Sequence, residues 1–243
     1  MEQPTTRRRF LAVLGTGSVI GGCASRPATD SDPPEVSDST ASPTAVRPNC
    51  GTPGEQTTAA ASPSDGFPKV GVSSSDPPTT AQVRQMATVT RPFTAESPAR
   101  VRFRFTNTAP DPRVFWFGGV VPFTPASVTH ETDTARLQLV PVRSGAAGVD
   151  TNDDGEFTVV PDTPQGGCWQ AVDEVIYPDV RQFVELDPCE SAAASFEAVA
   201  HPDNDRCLPG GQYVTRDEWT TANEPRSTAQ DVSFTWRVVV SLS

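Results

Sequence analysis

From residue 67 onward the chain alternates between apolar and polar positions. Val101, Phe103 and Phe105 are interleaved with Arg100, Arg102 and Arg104; near the other end Val232, Phe234, Trp236, Val238 and Val240 are interleaved with Ser233, Thr235 and Arg237. A period of two places the two sets on opposite faces of an extended strand, so each segment predicts a strand with one apolar and one polar face. Apolar runs at 83–90, 114–117, 135–142, 157–160, 180–186 and 196–200 predict further strands. Cys168 and Trp169 are expected to open another, and the Leu-Pro-Gly-Gly-Gln-Tyr sequence at 208–213 to turn into a late one. Turn chemistry separates these runs at 96–98, 109–112, 152–155 and 209–211. No stretch carries a convincing helical period. Some eight strands with polar turns predict an all-β chain, an antiparallel β-sandwich over residues 67–243.

The first 66 residues have a different texture. Thr6, Arg7, Arg8, Arg9, Phe10 and Leu11 match the twin-arginine export pattern, and the apolar run at 10–20 that follows is short and broken by Gly15 and Gly17. A bilayer span needs about 20 apolar residues, so this run reads as a signal peptide over 1–22 and not as a membrane helix. It ends on Ile20, Gly21, Gly22 and Cys23, the arrangement of a lipobox. Cleavage before Cys23 and lipidation of its thiol would anchor the protein to the outer face of the cytoplasmic membrane, stably if two acyl chains are attached. Residues 24–66 contain no aromatic and, of the valines, only Val36 and Val46. Such a Ser/Thr/Pro/Asp-rich segment buries too little apolar surface to offset its chain entropy, so residues 23–66 are expected to form a disordered tether.

Composition sharpens this picture. Thirty acidic residues oppose 19 basic ones, of which Lys69 is the only lysine, and the formal charge is −11. Removal of Glu2 and three arginines with the signal takes it to −13. That balance excludes nucleic acid as a partner and leaves no polybasic patch for anionic lipid. With Cys23 assigned to the lipid, Cys50, Cys168, Cys189 and Cys207 remain, in a compartment that permits disulfides. Three pairings are open; a bond between Cys168 and Cys207 is favoured, which would leave Cys50 to Cys189. The spacings are far too long for a zinc site.

Catalytic chemistry has little to work with. His130 and His201 are the only histidines, and each reads as a surface or strand-edge residue. Neither a Gly-x-Ser-x-Gly elbow nor a phosphate-cradling glycine loop occurs, and Met86 precedes every candidate ligand of a blue-copper site. No cofactor is therefore expected. Asp150, Asn152 and Asp154 before Gly155 match the first half of a calcium loop, but its twelfth position is Pro161, where a bidentate Glu belongs. An acidic turn is the favoured reading. Of the four tryptophans, Trp219, set among Asp217, Glu218, Thr220 and Thr221, is expected to be the exposed one.

Two stretches, 84–123 and 169–213, carry a further pattern. The phrase from Phe93 to Asn107 is followed by Arg-Val-Phe-Trp-Phe-Gly-Gly from Arg113 and by Pro122 and Phe123; Cys168, Trp169, Val184 and the turn before Tyr213 come later. Together these resemble the immunoglobulin-like lipoproteins of haloarchaea, similar in outline to the intracellular proteinase inhibitor-like β-sandwich. The resemblance implies an immunoglobulin-like fold and a cell-surface location, and the acidic, lysine-poor composition agrees with a halophilic source. It carries no reactive-site residues. The expected function is a non-enzymatic interaction module held at the membrane through Cys23, with a surface-layer or envelope protein as partner. A secreted-protease inhibitor or solute-binding accessory is the alternative.

Overall fold

The computed structural model describes residues 50–51, 62–64, 66–125, 128–142, 159–177, 179–222 and 232–243. The signal residues Arg7, Arg8, Phe10 and Leu11, the lipobox Cys23, most of the expected tether and the acidic cluster Asp150, Asn152 and Asp154 lie outside them. Among the described residues the chain is all-β, with one 3-10 turn at Thr79–Ala81 and no α-helix. Ten strands run in the order β1 (Val70–Ser74), β2 (Val83–Arg91), β3 (Ala99–Asn107), β4 (Arg113–Phe117), β5 (Val128–His130), β6 (Arg136–Pro141), β7 (Gln182–Leu186), β8 (Ser191–Ala200), β9 (Gly211–Ala222) and β10 (Val232–Leu242).

The predicted alternation sets the two longest ladders. On β3 Val101, Phe103 and Phe105 are fully buried while Arg102 is exposed. On β10 Trp236, Val238 and Val240 are fully buried while Ser233 and Thr235 face solvent. All ladders are antiparallel, and the main path is β1-β10-β9-β5-β6-β8-β3-β2. The ends of this path, β1 and β2, lie beside each other without a ladder between them, so the sheet curls nearly into a barrel. Strand β9 forks the path: Tyr213 and Val214 pair with β5, whereas Thr220–Ala222 pair with β4, whose other edge takes β7.

Aromatic side chains fill the interior. Phe105 meets Phe115, Phe117 and Trp219 edge to face at 4.8–5.0 Å, and Phe103 stacks on Phe123 at 4.5 Å. Such contacts add roughly 0.5–1.5 kcal/mol each beyond area burial. Trp219 is therefore core, 1% exposed, and not the exposed indole that its polar neighbours suggested. Its position explains the correction: along β9 it shares parity with Tyr213, Thr215 and Asp217, so it falls on the inner face. Two other expectations also fail. Cys168 and Trp169 form no strand, only an isolated bridge between Gln165 and Cys168; of the run expected at 157–160 the first two residues lie outside the described ones, and Val159 and Val160 sit in a bend.

The chain crosses itself at two covalent points. Cys168 lies at bonding distance from Cys207, with Cα atoms 5.6 Å apart, and Cys50 from Cys189, at 4.9 Å. The second pair ties part of the expected tether to the turn before β8. Beside it, fully buried Asn107 ends β3 with its side-chain amide satisfied: it donates to the Asp111 and Leu186 carbonyls and accepts from the Ala109 N–H. A buried amide left without those bonds would cost about 1–3 kcal/mol, so this junction is a specified one.

Candidate functional site

Strand β4 sends its side chains two ways. Phe115 and Phe117 enter the core, and Trp116 lies on the opposite face, where the register places it against Phe183 of β7 with ring centroids 5.3 Å apart. Phe183 is 55% exposed. Strand β7 pairs with β4 alone, so its far edge has a row of backbone N–H and C=O groups with no ladder partner among the described residues. Natural edges are commonly blunted by Lys, Pro or bulges. Here Glu185 is the only charge on the strand. Moreover, the large exposed hydrophobics among the described residues, Val172, Ile176, Val180 and Phe183, all fall within 172–183.

The start of that stretch is strapped across β6. The Gln138 amide donates to the Asp173 carbonyl at 2.9 Å and its oxygen accepts the Val175 N–H at 2.8 Å, while the Tyr177 hydroxyl donates to the Leu139 carbonyl. Burial pushes the Tyr177 phenol far above its ordinary range, so it stays a donor at any physiological pH. Beneath the strap lies a pocket of about 360 Å³ that includes His201. His201 was expected at the surface and is instead 3% exposed, because β8 ends under this crossing segment, a contact between residues far apart in sequence. Its Nδ1 accepts the Asp203 N–H at 3.1 Å; its Nε2 lies 3.3 Å from a Glu174 oxygen but out of hydrogen-bond alignment. A histidine beside a carboxylate can shuttle a proton; among the described residues lining this pocket there is no Ser, Thr, Cys or Lys beside the pair.

His130 serves the fold. Its Nδ1 accepts the Thr132 N–H, which leaves Nε2 to donate to the Gly210 carbonyl at 3.2 Å, and the ring meets Tyr213 edge to face. Gly211, at φ +144°, has to be glycine here: a Cβ would also collide with the His130 imidazole. Tyr213 in turn donates to the Pro209 carbonyl at 2.9 Å, and burial pushes its phenol up to about 12.

Asp217 is the carboxylate most altered by its surroundings. It stands on the inner parity of β9, opposite Trp236, and burial pushes its pKa up to about 6 even though it accepts the N–H groups of Thr124 and Glu218 at 2.7 and 2.8 Å. The bond to Thr124 ties the loop after β4 to β9. Among the described residues no three His, Cys, Asp or Glu side chains are grouped to hold a metal ion. The four described cysteines are taken up in the two pairs. Alternation could have revealed the parity of Trp116 and Trp219; the exposure of Phe183 depends on β7 being an edge, which no local pattern reports. Comparison with protein-family models, with curated proteins and with solved structures finds no match.

Proposed function

We propose that this chain is a non-enzymatic interaction module, exported by the twin-arginine route and held at the outer face of the cytoplasmic membrane through a lipid on Cys23. Its folded part is read as an immunoglobulin-like β-sandwich that engages a protein of the cell envelope. Strand pairing supports the sandwich reading: β2-β3-β8-β6 and β1-β10-β9-β4-β7 divide as the two layers of such domains do, with β5 linking them. The tyrosine near the start of β9, bonded back to the Pro209 carbonyl, supports it too, since a tyrosine corner occupies that place in these folds. Two disulfides agree with an oxidising, extracytoplasmic setting.

The observation that carries the function is that the large exposed hydrophobics among the described residues all fall within 172–183, a stretch ending on an edge strand. An extended segment of a partner protein can continue the sheet at β7 through main-chain hydrogen bonds and seat an apolar side chain on Phe183 and Trp116. Aromatic anchors of this kind are enriched at interface centres. A photoreactive residue at position 183 should capture one envelope protein on intact cells, whereas the same residue at exposed Thr129 should not; absence of a specific product at 183 overturns the reading. Replacing Cys23→Ala should release the protein into the medium, and retention in the membrane fraction would overturn the anchor.

A further inference from the structure

The outer face of β2, β3 and β8 holds a second feature, which meets β7 at Gln182 but does not include Phe183. Alternation along β3 turns Arg100, Arg102 and Arg104 outward, and the register sets Arg102 opposite Ser195 and Arg104 opposite Ala193 on β8. Each long cation thus has a short side chain beside it. Over this part of the sheet opens a cavity of about 600 Å³ whose lining includes Arg100, Arg102, Val121, Val142, Ala193 and Ser195. That volume falls in the range of small-molecule sites, roughly 300–1,000 Å³.

The arginines of this face are not equivalent. Arg91 and Arg100 share one Glu197 oxygen, at 2.6 and 3.0 Å. Arg84 donates to the carbonyls of Cys50 and Gly51, both at 3.3 Å. Arg102 is exposed and has neither a hydrogen bond nor an ion pair among the described residues. In a chain of formal charge −11, the strands of this face thus present Arg84, Arg91, Arg100, Arg102 and Arg104 against one strand carboxylate, Glu197. A cavity with locally reversed charge concentrates anions, and the planar guanidinium fork takes a carboxylate or sulfate through two parallel hydrogen bonds. The Ser195 hydroxyl can donate to or accept from a ligand hydroxyl.

We propose that this cavity binds a small organic anion of monosaccharide size, with its carboxylate or sulfate on Arg102 and a hydroxyl on Ser195. Arg100, held by the Glu197 carboxylate it shares with Arg91, fixes one wall and its charge is partly answered. The test is calorimetric titration of the purified full chain, at one fixed salt concentration, with D-glucuronate, D-glucose 6-sulfate and D-glucose. At least one of the two anions should bind, with the neutral sugar about tenfold weaker or worse. Arg102→Gln should weaken the anion about tenfold, and Arg104→Gln, whose side chain does not line the cavity, should change affinity by less than about twofold. Arg102→Lys keeps the charge without the fork and should still weaken binding several-fold, which guards against misfolding of the first variant. Binding of glucose as tight as that of the anions, no binding of either anion, or equal losses from Arg102→Gln and Arg104→Gln would each overturn the proposal. Variants of Phe183 leave this cavity intact, so failure of the edge-docking reading and failure of the anion site register separately.

Discussion

Strand β4 keeps similar residues in two opposite situations. Phe115 and Phe117 are at most 1% exposed and pack against Phe105, while Trp116, between them, joins Phe183 on the open side of the sheet. In the interior, rings meet rings on several sides: Phe105 alone touches Phe115, Phe117, Trp219 and Trp236. At the edge, a partly buried Trp116 meets one other ring, Phe183, and more than half of Phe183 faces water. The interior cluster holds the fold together. The edge pair does less for it, and the proposed association would give the exposed Phe183 ring a role that folding does not.

The widest gap between the two regions should appear on truncation of the interior. Phe105→Ala removes a fully buried ring from the centre of the cluster and should cost about 3–5 kcal/mol, read as a shift of the denaturation midpoint at unchanged slope. Next in size is the Cys168–Cys207 bond, which joins residues 39 apart. Replacing both by serine should cost about 3–4 kcal/mol on the chain-entropy model, measured by the same titration. A loss below about 1 kcal/mol would mean that the reduced chain is already constrained around that loop.

Much of this division was legible in the sequence, because alternation is a local property. The inward Phe103 and Phe105 and the outward Arg102 and Arg104 follow from parity along β3 alone, as does the burial of Trp236 on β10. Parity also fixed Trp219, but its neighbours Asp217, Glu218, Thr220 and Thr221 suggested a loop, although both threonines are buried in the strand. Strand β1 went unseen because Val-Gly-Val-Ser-Ser carries only two apolar side chains, one on each side of a glycine, and β5 because three residues are too few to show a period. The burial of His201, the edge status of β7 and the cavity beside Arg102 were illegible for a different reason. Each arises where distant segments meet, and periodicity says nothing about what covers a strand.

Asp217 tests the boundary between the regions, as a carboxylate on the inner parity of β9. Burial raises its folded pKa to about 6, above the ordinary carboxylate value of 3.8, so the folded state binds its proton more tightly than the unfolded chain does. Its contribution to stability is therefore greatest below about pH 4, declines as pH rises through 6, and then levels off; the total is on the order of 3 kcal/mol. This is opposite to Asp133, whose backbone hydrogen bond from Ala135 holds its pKa below the usual carboxylate range. Asp217→Asn cannot ionise. Denaturation of this variant and the native chain between pH 4 and 8 should give a stability difference that shifts in the variant's favour as pH rises, on top of a constant offset from the acceptor it lacks for Thr124 or Glu218. A difference independent of pH would place the carboxylate in water.

The smallest effect on stability is the most informative about function. Phe183→Ala removes a ring that is more than half exposed, and beyond the single contact with Trp116 little packing is lost, so folding stability should fall by less than about 1 kcal/mol. The same change should abolish capture of the envelope partner by crosslinkers at neighbouring edge positions, because a central aromatic anchor commonly contributes 2 kcal/mol or more to association. A stability loss comparable to that of Phe105→Ala would show that Phe183 belongs to the interior set, and the contrast along β4 would then have no functional meaning. Unchanged stability with unchanged capture would show that the partner docks without Phe183 as its anchor. Only the combination of near-native folding and lost capture marks the outward face of β4 and β7 as the surface through which this protein works.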